Sequence, residues 1–237
     1  MAKKASKRYQ QAAKLVETGR IYTLEEATEL VKKFPAPKFN QTVTLSFHMG
    51  VDPKKSDQAI RSTCPLPHGS GKVVRVLVFA KGVAADAARE AGAEYVGFED
   101  LIKKVQEGFV DFDVAVATPD AMTEVRKLGK QLGPRGLMPN PKTGTVSDDT
   151  AKAVKEVKAG RIDFRLDRNG NIAATIGKAS FTSQQLVENA QALIDSVLRA
   201  KPATARGKYI HTITLAASMS PGIRIDEGKF LKSAAAA

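Results

Sequence analysis

The sequence predicts an α/β protein in two parts: an α+β domain assembled from both flanks of the chain, and a parallel α/β unit inserted between them. Three observations lead there. The middle of the chain alternates nearly continuous apolar strands with helical stretches, the pattern of a parallel sheet covered on both faces. The flanks carry strands that alternate apolar and polar residues, the pattern of a sheet with one buried face. The first of these, near residue 45, cannot bury its face alone, and the C-terminal flank offers strands like it.

Thr23 and Glu26 form T-x-x-E, a capping box that opens a helix running to about Phe34, where Pro35 and Pro37 stop it. In QTVTLSFHMG, Val43, Leu45, Phe47 and Met49 point one way, and Thr42, Thr44, Ser46 and His48 the other. TCPLPHGSGK (Thr63–Lys72) is rich in Pro and Gly and reads as a linker.

From Val73 the pattern changes. VVRVLVFA is an apolar strand, followed by a helical stretch at Val83–Ala91. Tyr95–Gly97 forms a short strand, LIKKVQEG is helical, Phe112–Thr118 is the next strand, and Ala121–Leu132 reads as one helix. LGPRGLMPNPKTGT (Leu132–Thr145) holds three Gly, three Pro, two basic side chains and no acid. It follows a helix rather than a strand, which removes a phosphate-cradle reading; Pro139 and Pro141 restrict its backbone, so a stiff loop packed on the inserted unit is expected. Thr150–Lys158 adds one more helix.

After Gly160 the alternation returns. RIDFRLD and NIAATIG flank Arg168-Asn169-Gly170, a hairpin turn signal, with Ile162, Phe164 and Leu166 on one face, matched by Ile172, Ala174 and Ile176. Thr182 and Gln185 cap a helix to about Ala200, YIHTITLAAS is a further alternating strand, and the SAAAA tail reads as disordered. The expected domains are residues 1–69 with 162–237, and residues 70–161.

The net charge of +12 points to an anionic partner, nucleic acid first and a membrane surface second. Its distribution is uneven. Residues 70–161 carry 15 Lys+Arg against 13 Asp+Glu, whereas the flanks carry 22 against 12. No apolar run approaches the roughly 20 residues that span a bilayer, and no apolar core follows the basic start MAKKASKRYQ. Cys64 is the only cysteine, so no intramolecular disulfide forms; a cytosolic setting fits best.

Enzyme motifs fail one by one. HGSGKV resembles the end of a phosphate loop, but Leu66 stands where its first Gly belongs and Val73 where Ser/Thr belongs. Only Lys81-Gly82 follows the strand ending at Ala80, and there is no G-x-S-x-G. His48, His68 and His211 lack metal-ligand spacing, and Asp111/Asp113 and Asp52/Asp57 read as turn and cap residues. No catalytic residue, metal or cofactor is expected. Lys38-Phe39 before a hydroxyl-rich strand offers a cation, an aromatic ring and partners for a 2′-OH, which suits RNA. By parity, however, Phe39 belongs with the buried Val43 set.

VDPKKSDQAIR, LPHGSGK, AGAEYVG, VATPDAM, LGPRGLMPNPKTGT, AGRIDFR and GKASF resemble, in this order, segments of the bacterial branch of the L-one family of ribosomal proteins, collinearly over about residues 5–226. The resemblance implies a discontinuous RNA-binding domain with an inserted Rossmann-like domain. It also implies a place in the large ribosomal subunit, at the mobile stalk beside the tRNA exit site. Its implied partners are large-subunit ribosomal RNA, departing tRNA and the protein's own operon messenger, which it represses; neither a membrane nor a small-molecule substrate is implied.

Carried over by motif, the family's RNA-contacting K-F-x-x-T falls on Lys38, Phe39 and Thr42, and G-K-A-S on Gly177, Lys178, Ala179 and Ser180. T-M-G falls on Ser218, Met219 and Ser220, where this sequence departs: Ser218 keeps the hydroxyl but loses a methyl, and Ser220 adds a side chain where Gly lets backbone approach RNA. On this basis Phe39 is a partly exposed contact residue. A stand-alone messenger-binding repressor using the same surface is the alternative.

Overall fold

The computed structural model describes residues 6–17, 19–205, 207–228 and 230. In chain order its elements begin with helices α1 (Lys7–Lys14) and α2 (Leu24–Lys33) and strands β1 (Thr42–Met49) and β2 (Arg61–Cys64). Then come β3 (Val76–Phe79), α3 (Val83–Glu90), β4 (Tyr95–Gly97), α4 (Glu99–Gln106), β5 (Val114–Ala117), α5 (Met122–Val125), α6 (Gly129–Leu132) and α7 (Thr150–Lys158). β6 (Ile162–Arg165), β7 (Asn171–Lys178), α8 (Ser183–Arg199), β8 (Ile210–Ala217) and β9 (Ile223–Ile225) follow. The chain divides into two compact units, Met1–Gly71 with Ile162–Ala237, and Lys72–Arg161. The SAAAA tail lies outside the described residues.

The first unit is built on an antiparallel sheet of order β7-β1-β8-β9. Alternation along β1 puts Val43, Leu45, Phe47 and Met49 in the core. α8 lies against that face because Leu186, Ala190, Leu193, Ile194 and Val197 recur at helical spacing, and each buried Leu, Ile or Val side chain contributes about 1.5–3 kcal/mol. α2 and α8 both start on complete capping boxes, Thr23 with Glu26 and Thr182 with Gln185. On α8, Asn189 is fully buried; its amide accepts the His68 N–H (3.0 Å) and donates to the Gly69 (3.0 Å) and Ile176 (2.8 Å) carbonyls, tying the Pro/Gly segment to the sheet.

Two expectations need correction in this unit. The segment read as a linker holds the boundary between the units, after Gly71, but it begins inside a strand, since β2 pairs antiparallel with β6. The turn at Asn169-Gly170 does form, but its ladder ends at the single Leu166–Ile172 bridge and β6 leaves for β2, so no extended β6–β7 hairpin exists. α1 and β9 went unread in the sequence.

The second unit has a parallel sheet of order β4-β3-β5, as the apolar runs imply. Leu77, Phe79, Ala115 and Ala117 face α4, α5 and α6. Val76, Val78 and Val116 face α3 and α7, so both sides are buried. The single helix expected over Ala121–Leu132 is broken into α5, a 3-10 turn (Arg126–Leu128) and α6. The Gly/Pro segment begins by closing this run. Leu137 N–H bonds the Leu132 carbonyl (3.0 Å), Gly136 N–H bonds that of Gly133 (3.0 Å), and Gly136 takes φ +72°, a Schellman cap. Thr143 and Thr145 are then buried, and Arg161 donates to the Thr143 carbonyl (2.6 Å), so the loop does pack on this unit. Asp113 is no turn residue. Lys72 (2.5 Å) and the backbone N–H and guanidinium of Arg75 hold its carboxyl near pKa 2, against the opposing effect of burial.

Candidate nucleic-acid interface

β1 runs antiparallel to both β7 and β8, so its first residue lies beside the last residues of its neighbours. Three segments far apart in sequence therefore meet at one sheet edge: residues 38–42, 178–180 and 218–220. Thr42 N–H donates to Ser218 Oγ (3.2 Å), and Ser218 N–H to the Thr42 carbonyl (3.1 Å). Lys178 Nζ donates to Thr42 Oγ1 at 2.8 Å. The edge thus brings together Thr42, Lys178, Ser180, Ser218 and Met219, with Lys38 and Phe39 in the segment just before Thr42 and Ser220 just after Met219. Phe39 is 50% and Met219 52% exposed, so two large apolar side chains face solvent there, and the parity argument that buried Phe39 fails. It fails because Phe39 precedes β1, whose alternation does not extend to it.

Two residues that hold this edge were missed in the sequence. Asn40 donates to Ser180 Oγ (3.0 Å) and accepts from Ser180 N–H (3.3 Å). Buried Gln41 accepts the Met219 N–H through its side chain (3.0 Å) and the Ala179 N–H through its carbonyl (2.8 Å). Polar Asn-Gln ahead of an apolar strand was the available signal, but their partners lie about 140 to 178 residues away. Gly177 is needed where it stands: its φ is +153°, and a Cβ would come within 2.8 Å of the Phe181 ring. Ser220 does not behave as its place in the motif suggests. Its φ is not positive, and its hydroxyl turns inward to accept the Ala217 N–H (2.9 Å) and donate to the Pro221 carbonyl (3.1 Å).

A second cationic feature lies on the β2–β6 ribbon. Arg61 stands directly across from Arg165; both are exposed, as is Arg168 beyond. Like charges in that relation are destabilising, and among the described residues neither Arg61 nor Arg165 has an ion-pair partner. In the second unit, a cavity of about 240 Å³ at the carboxyl ends of the parallel strands is lined by Lys81, Phe98, Thr118, Asp120 and Asp148. Lys81 Nζ sits 3.9 Å over the Phe98 ring. Among the described residues no group of three or more His, Cys, Asp or Glu is placed to hold a metal, and no helix is long and apolar enough to cross a membrane.

Comparison with known sequences agrees with this geometry. Residues 31–221 match the profile of the Ribosomal protein L1p/L10e family. The chain is 53% identical over 234 residues to the Large ribosomal subunit protein uL1 of Thermobifida fusca (strain YX), an alignment covering 99% of this chain and 100% of that one.

Proposed function

Because the chain belongs to the Ribosomal protein L1p/L10e family, we propose that it is a non-enzymatic constituent of the large ribosomal subunit that binds large-subunit ribosomal RNA through the converging sheet edge. The observation that carries this is the edge itself: exposed Phe39 and Met219 beside Lys38 and Lys178, on backbone already fixed by Asn40, Gln41 and Thr42. A contact surface ordered in advance loses little entropy on binding. Lys and Arg of the same unit supply affinity through phosphates, while 2′-OH and base contacts from Thr42, Ser180 and Ser218 supply selectivity.

In the finer reading the protein sits at the mobile stalk of the cytoplasmic ribosome, helps release deacylated tRNA from the exit site, and represses its own operon messenger, with no cofactor. The unneutralised Arg61–Arg165 pair supports contact with a second RNA, the tRNA. The messenger would use the ribosomal RNA edge, because the described residues offer no second edge of that composition. Crosslinking in intact ribosomes tests the reading. Ribosomal RNA crosslinks at Phe39 and Met219 are expected, and crosslinks confined to Lys72–Arg161 would overturn it. In a competition titration the two RNAs exclude each other; simultaneous binding by one molecule sinks the shared site. Absence from sedimenting large subunits would favour the stand-alone repressor.

A further inference from the structure

The four-stranded sheet has one face under α2 and α8 and another that no described element of its unit covers. On that open face β1 presents Thr42, Thr44, Ser46 and His48, and β7 presents Asn171, Ala173, Thr175 and Lys178. β8 presents His211, Thr212, Thr214 and Ala216, and β9 presents Arg224. The side chains are mostly short and hydroxyl-bearing. No carboxylate and no Phe, Tyr or Trp stands among these strand residues.

Two β-bulges decide where the nitrogen bases fall. Between Val43 and Thr44 the β1–β7 register slips: Val43 pairs with Gly177 but Thr44 with Thr175, leaving Ile176 as the extra residue. Without that slip Thr42 would face Gly177, and Lys178 would turn toward the core side; with it, Lys178 stands opposite Thr42 on the open face. Between His48 and Met49 the β1–β8 register slips in the same way: His48 pairs with Thr212 and Met49 with Ile210. Without it His211 would pair with Met49 on the buried side. The bulge sends Ile210 inward and His211 outward, where its ring lies 5.5 Å from that of His48. His48 Nδ1 is 2.9 Å from Asn171 Oδ1, which orients the imidazole with Nε2 away from that contact. Each bulge thus re-aims one basic side chain onto the same face, at opposite ends of it. Six residues separate Thr42 from His48, about 20 Å at strand rise.

We infer that this open face, from Lys178 to the His48–His211 pair, receives the shallow minor groove of double-helical RNA, extending the proposed edge contact across the sheet. The inference rests on the RNA-binding reading above. Between Lys178 and the His48–His211 pair the open face presents no aromatic ring, so a run of splayed bases would find nothing to stack on along it, which disfavours a single strand. A row of Thr and Ser hydroxyls matches the 2′-OH groups that an A-form minor groove displays, and bases at both ends meet the phosphates that border it. Arg224 flanks the row, and the strand residues of the face include no carboxylate; Asp167 beside His48 and Glu227 beside Arg224 lie at its margins.

Full-length Ala173→Glu and Thr214→Glu test the inference, since both residues lie mid-face, outside the edge. Each is expected to weaken binding of purified large-subunit ribosomal RNA at least tenfold, with melting curves that superimpose on the parent. A generic RNA duplex should compete at least tenfold better than a single strand or a DNA duplex of the same length. Parent-like binding by both variants, while Phe39→Ala binds weakly, would overturn the face and leave the edge standing, as would equal competition by all three nucleic acids. Failure of the parent to bind the RNA would overturn both readings.

Discussion

The two units solve the problem of burying a sheet in opposite ways. In Lys72–Arg161 the parallel sheet has helices on both sides, and its 15 basic residues are nearly matched by 13 acidic ones. The other unit buries one side of an antiparallel sheet and carries 22 basic against 12 acidic residues. A sheet sealed on both faces is complete and has only loops to offer a partner. A sheet with one sealed face keeps a rigid surface in hand, and here the excess charge travels with it.

The sharpest way to break this contrast is to separate the units. A chain joining residues 1–69 to 162–237 should retain most of the ribosomal RNA affinity, and isolated residues 70–161 should bind at least about 100-fold more weakly, the ratio expected when several phosphate contacts are lost. Equal affinity of the isolated insert would reverse the assignment. Next in size, Phe39→Ala and Met219→Ala should each cost about 1–3 kcal/mol of RNA binding by stacking and contact magnitudes, read by filter binding. Because half of each side chain is in solvent, neither should move Tm much.

The third prediction concerns the sealed unit. Asp113 is held near pKa 2, first by Lys72 and then by Arg75, below the unfolded value of about 3.9. The stabilisation is therefore complete above about pH 4 and is lost as pH falls toward 2. It amounts to about 2 kcal/mol at most, since the carboxyl is partly solvated. Hydrogen exchange on β3 and β5 across that window should reveal it, and Asp113→Asn should abolish the dependence there. Smallest is Ser220→Gly, which removes the hydroxyl that accepts the Ala217 N–H. It should cost about 0.5–1.5 kcal/mol of stability without tightening RNA binding. Tighter binding would mean that the inward-turned hydroxyl obstructs the RNA after all.

Much of the fold was legible because its signals are local. Thr23-x-x-Glu26 and Thr182-x-x-Gln185 announced two helices, and the alternation of β1 announced which of its faces is buried. What escaped depends on partners about a hundred residues away. Arg61–Cys64 is four residues beside a Pro/Gly run and becomes a strand only because Ile162–Arg165 lies against it. The same pairing defeats the Asn-Gly hairpin, whose turn is local but whose ladder is not. At the edge, Lys38, Lys178 and Met219 came from motif resemblance; composition alone could not distinguish them from ordinary surface residues. Asn40 and Gln41 are clamps only once 180 and 219 are beside them. Both bulges were invisible for the same reason, since a slip of register belongs to two strands at once.

The central position of β1 has a consequence for synthesis. Its two neighbours, β7 and β8, follow it by more than a hundred residues, with the whole of Lys72–Arg161 in between. As the nascent chain emerges, the inserted unit holds all its strands and can fold while residues 42–49 still wait, unpaired, with their apolar side chains uncovered. Only when residues 171–217 are out can β1 be paired on both sides and the edge assembled. The edge therefore forms last, and an unfinished polypeptide lacks the surface proposed to bind RNA. In exchange, a hydrophobic strand stays exposed through most of translation, the interval in which this protein most needs protection from aggregation.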